Sequence, residues 1–360
     1  MDRRSLIRRT GIAGVLAAGV APAVHAQATV RWRLASSFPK SLDTLWGFSE
    51  TLSRKVSEMS SGKFQISIHP AGELVPAFGV VDVVQNGSID LAHTAPYYFT
   101  GKDTVFALAS GIPFGFNARQ IAAWMIQGNG RKLMNEFFAN YNMISFDGGH
   151  TGTQMGGWYR KPIKEVADLK GLKIRLGGGL VGEVMGKLGA VPQSIPGGEV
   201  YVALEKGSLD AVEWIGPYDD FKLGFYKVAP YYYYPGWWEG DAHGAMLVNT
   251  KAWSGLPAEY KAMFETACGY ASRESLARYD GLNPPALKQL AAAKTQILPF
   301  PQPVLEAAYK ATQEVYAELD AKNPAWRKIY ADMLAFQRDQ VLWFRFAESR
   351  YDQFMATRKL

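Results

Sequence analysis

Residues 172–214, LKIRLGGGLVGEVMGKLGAVPQSIPGGEVYVALEKGSLDAVEW, decide the fold. Leu172, Ile174 and Leu176 alternate with Lys173 and Arg175, the period of a strand. After three glycines, Leu180–Gly189 has helical spacing, Ala190–Ser194 is a short extended run, Gly198–Gly207 is again helical, and Asp210–Trp214 is a second buried strand. This strand–helix alternation builds a parallel sheet with crossover helices. It also occurs earlier. Thr29–Ser36 predicts a strand, Leu42–Ser60 a helix, Lys63–His69 a strand, Ala77–Gly87 a helix and Ile89–Thr94 a strand, with one more strand from Met143. Two α/β units in one chain predict two lobes with a cleft between them. Tyr231–Pro235 and Ala245–Thr250 are expected as strands that carry the chain back to the first lobe. Beyond residue 251 the chain reads as helices over Pro257–Tyr279, Pro284–Ala293, Pro303–Leu319 and Pro324–Thr357, the last with an apolar stripe of Trp326, Tyr330, Leu334, Val341, Phe344, Tyr351 and Met355.

The segment 1–26 is expected to be an address rather than structure. Arg3 and Arg4 precede an apolar stretch ending in Val24-His25-Ala26, the pattern of a secretory signal. The paired arginines indicate the twin-arginine route, with an ordinary Sec signal as the alternative, and the mature chain then begins near Gln27. Of the formal charge of +6, half belongs to this segment, where four arginines face Asp2. The remainder therefore signals no nucleic-acid partner. The single cysteine, Cys268, excludes a disulfide framework and sits at helical spacing with Phe264 and Ala271, as a core residue does. No later stretch is apolar for long enough to span a membrane. The expected division is 27–150 with about 246–300 as lobe I, 151–245 as lobe II, and 301–360 as a helical C-terminal region.

Four features could carry function. Gly177, Gly179 and Gly182 form G-x-G-x-x-G between a strand and a helix, with Glu199 downstream; an exported nicotinamide-dependent oxidoreductase using this 177–182 run is the alternative function. Arg175 ends a strand where α/β folds bind ligands, and its planar fork suits a carboxylate. Glu213 interrupts a buried strand before a turn, so it must face a cation, a guanidinium or a ligand. Tyr97, Tyr98, Trp158, Tyr231–Tyr234 and Trp237-Trp238 could wall a small pocket. No H-E-x-x-H, C-x-x-C, G-x-S-x-G or Walker loop occurs, and His69, His93, His150 and His243 stand singly, at spacings that make no metal set. The chain is expected not to be an enzyme.

Residues 64–76 (FQISIHPAGELVP), 90–98 (DLAHTAPYY), 112–116 (IPFGF), 169–178 (LKGLKIRLGG), 197–239 and 247–257 (LVNTKAWSGLP) together resemble the DctP-type solute-binding proteins of TRAP transporters, in particular the 2-oxo-acid-binding, TakP-like branch. The resemblance implies a two-lobed α/β fold of the periplasmic-binding-protein kind with hinge crossings and a long C-terminal helix. It implies a receptor in the periplasm that captures a pyruvate- or lactate-like monocarboxylate and delivers it to a membrane permease. Arg175 would hold the carboxylate, with Tyr97, Tyr98 and Trp158 walling the pocket. A sodium or calcium ion would bridge substrate and protein through Gln154, Glu213, the Trp214 carbonyl and a group near Trp238. Glu239 is expected for that last place, with Asp241 or His243 as alternatives. The helix 324–357 is expected to join a homodimer.

Overall fold

The computed structural model describes residues 29–358, so the expected signal peptide lies outside the described residues. In β1 (Val30–Ser36) the exposed Arg31 and Arg33 alternate with the buried Trp32 and Leu34. The strand pairs in parallel with β2 (Phe64–His69) on one side and β3 (Leu91–Thr94) on the other. Helices α1 (Leu45–Met59) and α2 (Val80–Gln85) make the crossovers. Two further helices, α3 (Ala118–Gln127) and α4 (Gly130–Ala139), lead into β4 (Met143–His150).

The second unit holds β5 (Trp158–Tyr159), β6 (Lys173–Arg175), α5 (Leu180–Lys187), β7 (Val191–Gln193), α6 (Gly197–Glu205), β8 (Ala211–Val212), α7 (Pro217–Leu223) and β9 (Tyr231–Tyr234). The chain then makes β10 (His243–Asn249), α8 (Thr250–Ser254), α9 (Ala258–Ala292), β11 (Gln296–Pro299), α10 (Gln302–Lys322), α11 (Pro324–Phe346) and α12 (Glu348–Ala356). The first sheet runs β2-β1-β3-β10-β4 and the second β11-β9-β5-β8-β6-β7.

Three expectations about the returning chain are corrected. Of the two strands expected to rejoin the first lobe, only β10 does so, antiparallel between β3 and β4; β9 stays in the second sheet beside β5. Gln296–Pro299, expected inside lobe I, pairs in parallel with β9 instead. The helices expected over 257–279 and 284–293 are one, α9, which runs through Pro284 and Pro285. Proline removes one helical hydrogen bond and crowds the preceding turn. Here buried residues on both sides, Tyr279 before and Ala286 and Leu290 after, hold the helix to one course. It packs on α1 and β4 of the first lobe and on α7 of the second.

The C-terminal helices also straddle the lobes, α10 lying on α5 and α11 on α3 and α4. Trp326, Ile329, Tyr330 and Met333 bury the first half of α11. The expected single helix 324–357 is interrupted at Ala347, next to an ion pair of 2.9 Å between Glu348 and Arg119. Among the described residues no helix is long and apolar enough to cross a membrane.

Candidate functional site

Strands β6 and β8 are parallel neighbours, with Arg175 opposite Val212. Their carboxyl ends therefore place Arg175 and Glu213 side by side at the sheet edge where open α/β folds take ligands. Arg175 Nη1 lies 2.7 Å from Glu213 Oε1 and 2.6 Å from the Glu213 main-chain carbonyl, and Nε donates to the Ile195 carbonyl at 3.2 Å. The guanidinium stands 4.6 Å from the Trp214 ring. Both charged groups are buried, so each neutralises a charge that would be prohibitive alone. The Gly177 N–H also donates to Glu213 Oε1. Burial nonetheless pushes the Glu213 carboxyl up to about 7, against the pull of Arg175 and that N–H.

Glu239 is a second buried carboxyl in the same place. Burial, and then the neighbouring Glu213 charge, hold it well above the usual carboxylate range. Its hydrogen-bond donor is the Tyr97 hydroxyl at 3.4 Å. The Glu239 carbonyl accepts from the Gln154 N–H at 3.3 Å, which brings Gln154 into the group. Gln154 Nε2 donates to Thr151 Oγ1 at 3.3 Å, while Oε1, fully buried, has no partner among the described residues. Two carboxylates short of positive charge and an orphaned amide oxygen form an all-oxygen donor set, which fits a hard cation such as sodium or calcium rather than a soft one.

The two alternatives for the Glu239 place are occupied elsewhere. Asp241 Oδ1 accepts the N–H groups of Thr151 and Gly152 at 3.1 and 2.8 Å, and Oδ2 takes His150 Nδ1 at 2.6 Å. It thereby shapes the 150–154 loop that presents Gln154. His243 turns Nδ1 to the Ala109 carbonyl at 2.9 Å and Nε2 to Asp147 at 3.0 Å.

The cleft cavity is lined by Tyr97, Tyr98, Arg175 and Trp214. Trp214 Nε1 is buried without a partner among the described residues. Tyr97 and Tyr98 come from a 3₁₀ turn of the first lobe, Pro96–Phe99, and pack edge to face at 5.0 Å. Trp158, expected in this wall, does not line the cavity. Its ring stacks on Tyr232 at 4.0 Å and its Nε1 donates to Asp220 at 2.9 Å, so strand alternation in β5 turns it into the core of the second lobe. Thr44, Phe38, Thr151, Ile215 and Tyr279 line the cavity without having been singled out in the sequence. They lie in loops and on α9, where no motif marks them.

The glycine run serves close approach. A Cβ at Gly177 would stand 3.2 Å from the Tyr97 ring and 3.3 Å from Glu213 Oε1, and one at Gly179 would stand 3.1 Å from Tyr97 Cβ. Gly178 and Gly179 have φ of +112° and +68°, a region glycine enters freely. With the Gly177 N–H engaged by Glu213 and Tyr97 against the turn, these glycines seat a tyrosine of the opposite lobe rather than a dinucleotide.

Across the mouth, Asp43 of the first lobe accepts from Lys222 Nζ, from the Tyr218 hydroxyl at 3.0 Å and from Arg278 Nη2 at 2.9 Å. Thr44 donates to Asp219 at 2.7 Å. The lobes are thus drawn together around the buried charges.

The profile of bacterial extracellular solute-binding protein family 7, DctP, matches residues 35–323. The chain is 46% identical over 328 residues to the monocarboxylate 2-oxoacid-binding periplasmic protein of Nostoc sp. (strain PCC 7120), covering 91% of this chain and 90% of that protein. A TRAP transporter solute-binding protein of Bordetella bronchiseptica, solved with calcium and picolinate, is 49% identical and superposes with a TM-score of 0.90 over 91% of this chain and 98% of that one. One from Pseudoalteromonas atlantica with bound sodium and pyruvate is 38% identical, with a TM-score of 0.88 over 92% and 100% of the two chains. A third, from Colwellia psychrerythraea with calcium and pyruvate, is 35% identical with a TM-score of 0.88 over 90% and 99%. The chain therefore belongs to the DctP family, whose members are extracellular solute-binding proteins.

Proposed function

We propose that this protein captures a small 2-oxo or 2-hydroxy monocarboxylate, pyruvate- or lactate-like, between its lobes in the periplasm and delivers it unchanged to a TRAP membrane permease. The observation that carries the reading is a buried arginine paired with Glu213, beside a buried Glu239 that feels both charges and whose carbonyl takes the N–H of Gln154, the residue whose Oε1 has no partner among the described residues. Arg175 supplies the charge-assisted bond to the carboxylate. Gln154, Glu213, the Trp214 carbonyl and Glu239 would hold sodium or calcium, which when bound supplies a positive centre for the carboxylate and the adjacent keto or hydroxyl oxygen. Tyr97 and Tyr98 close one wall and limit the side chain the acid can carry, and Trp214 Nε1 offers a donor to an acid oxygen. The relatives that bind pyruvate with sodium or calcium support this assignment.

The exposed apolar residues of the last helices, among them Trp343 and Phe346 at 60% and 72% exposure, support a homodimer built on this region. The ligand reading is tested by titrating the purified protein with pyruvate and lactate while recording tryptophan fluorescence, in sodium, in calcium and in chelator with potassium as the only alkali ion. Saturable binding that needs one of the two ions supports it. Absence of binding to any 2-oxo or 2-hydroxy monocarboxylate in either ion would overturn it.

A further inference from the structure

On β4 and β10, beside the ligand cleft, where His150 borders the same cavity as Arg175, the structure gathers three side chains that their sequence positions left apart. Asp147 and His150 stand on β4, and His243 begins β10; the antiparallel pairing sets His243 opposite His150. His243 Nε2 is 3.0 Å and His150 Nε2 3.8 Å from the same oxygen, Asp147 Oδ1. One ligand atom from each of the three lies within 4.8 Å of the others. Four ligands held tetrahedrally around zinc at about 2.0–2.1 Å stand about 3.4 Å apart, so these spacings need only small adjustments to enclose an ion.

The surroundings orient both imidazoles for this. His150 Nδ1 is held by Asp241 at 2.6 Å and His243 Nδ1 by the Ala109 carbonyl at 2.9 Å. A carbonyl only accepts, so the proton of His243 is fixed on Nδ1 and Nε2 is turned to the carboxylate. Carboxylate–histidine and carbonyl–histidine pairs of this kind are what hold metal-ligating histidines in one tautomer and orientation. Ser272 steadies Asp147 with a hydrogen bond of 2.8 Å. Between Nε2 of His243 and the Asp147 oxygen something positive must lie, either a proton or a metal ion. A separate pocket of about 410 Å³, lined by Met125, Ile126 and Arg131, reaches Asp147 and His243 from the surface, and Ile126 at its rim is exposed.

We infer that Asp147, His150 and His243 form a second cation site, distinct from the oxygen site in the cleft, that takes a borderline transition metal, zinc, with its fourth position open to water through this pocket. Two imidazoles and one carboxylate select such ions over sodium and calcium. The site joins the two strands beside the cleft, so its ion would brace β10 against β4 next to the loop that presents Gln154.

The test uses the full mature chain, stripped with chelator and then titrated with zinc against a chromophoric competitor, with cobalt(II) as the spectroscopic probe. One zinc per chain is expected, with an intense visible cobalt band of a four-coordinate nitrogen–oxygen site. H243Q and D147N should each weaken zinc binding by at least about 100-fold and abolish the band, while E239Q keeps both. The inference is overturned if the wild-type chain holds no zinc against the competitor or gives only the faint cobalt spectrum of an all-oxygen octahedron. It is equally overturned if zinc is lost in E239Q and kept in H243Q. The wild-type cobalt spectrum stands even if a variant fails to fold, and pyruvate titration of the same samples keeps this outcome separate from that of the cleft.

Discussion

Arg175 is moored to Glu213 twice, by 2.7 Å to its carboxylate and 2.6 Å to its main-chain carbonyl. The group proposed to hold the acid and a group proposed to hold the cation are thus one unit, fixed on adjacent strands. Removing the arginine strands a buried carboxylate as well as losing a ligand contact.

For Arg175 this predicts two separable losses. R175K keeps a charge but not the planar fork, and should weaken pyruvate binding by roughly tenfold to a hundredfold with a small change in stability. R175M should abolish measurable binding and destabilise the protein by about 3–5 kcal/mol, the usual penalty for leaving one member of a buried pair alone. Calorimetric titration and denaturant unfolding read the two effects; unchanged affinity in R175M would refute the carboxylate role.

Glu239 carries the opposite sign. Its carboxyl is raised by burial and by Glu213, so the folded state retains a proton that the unfolded chain, with its carboxyl in the ordinary range, has already released. Stability from this group is therefore lost as pH rises above the unfolded value. In chelator, E239Q should be more stable than the wild type, by a margin that grows from pH 5 to pH 8, and calcium should raise its melting temperature less. A variant that melts lower than the wild type at pH 8 in chelator and still responds fully to calcium would remove Glu239 from the cation site.

The alternation that made two lobes legible, and the placing of Arg175 and Glu213 at strand ends, came from local periods of two and of 3.6 residues. What the periods did not carry was long-range. Whether Tyr231–Tyr234 stays with the second sheet depends on partners some 65 residues later in the chain, Gln296–Pro299, which no local pattern announces. Trp158 and Trp214 look alike in sequence and both pack in the core of the second lobe, yet only Trp214 also reaches the cavity and lies over the guanidinium. Asn117 and Gln120 do carry a local signal, an N-cap with its reciprocal glutamine opening α3. Asp147, His150 and His243 meet only because β4 and β10 pair antiparallel.

Asp43 bridges the mouth of the cleft, taking Lys222 and Tyr218 from the second lobe and Arg278 from α9. Its side chain is about one-third exposed, at 36%, so each link is screened and worth little singly. D43A should loosen closure rather than the fold, lowering pyruvate affinity about threefold to tenfold, mainly through faster release. Stopped-flow dissociation and solution scattering, which reads a larger radius for the open form, check this. Dissociation as slow as in the wild type would show that the mouth contacts do not hold the lobes closed.

Asp220 supplies a pH test on a carboxyl that does not itself line the cleft. It accepts Trp158 Nε1 at 2.9 Å and the Tyr232 hydroxyl at 2.7 Å, and burial pushes it up to about 7 despite these donors. The unfolded chain ionises it near 4, so between those values the folded state holds more protons and stability falls as pH rises. Comparing D220N with the wild type, the gap in unfolding free energy should shift by up to about 4 kcal/mol in favour of the variant between pH 4 and pH 8. The loss of an acceptor in the variant is independent of pH, so the slope of the difference is the readout; a flat difference would mean that Asp220 is ionised throughout.

The last turns of α11 and α12 expose Val341, Leu342, Trp343, Phe346, Tyr351 and Phe354, beyond the point where Gln337 donates to the Phe114 carbonyl at 3.0 Å and with Arg119 of α3 paired to Glu348 at 2.9 Å. So much exposed apolar surface on one element is uncommon on a monomer and characteristic of an interface. A second copy of the same helices is the partner proposed for it, since a shared apolar face can be self-complementary about a two-fold axis. Substituting Trp343 and Phe346 together by serine should convert a dimer to a monomer in analytical ultracentrifugation. None of these residues lines the cleft, so pyruvate affinity should stay within about twofold. A wild-type chain that sediments as a monomer at high micromolar concentration would rule out this pairing, and a variant that remains dimeric would place the interface elsewhere.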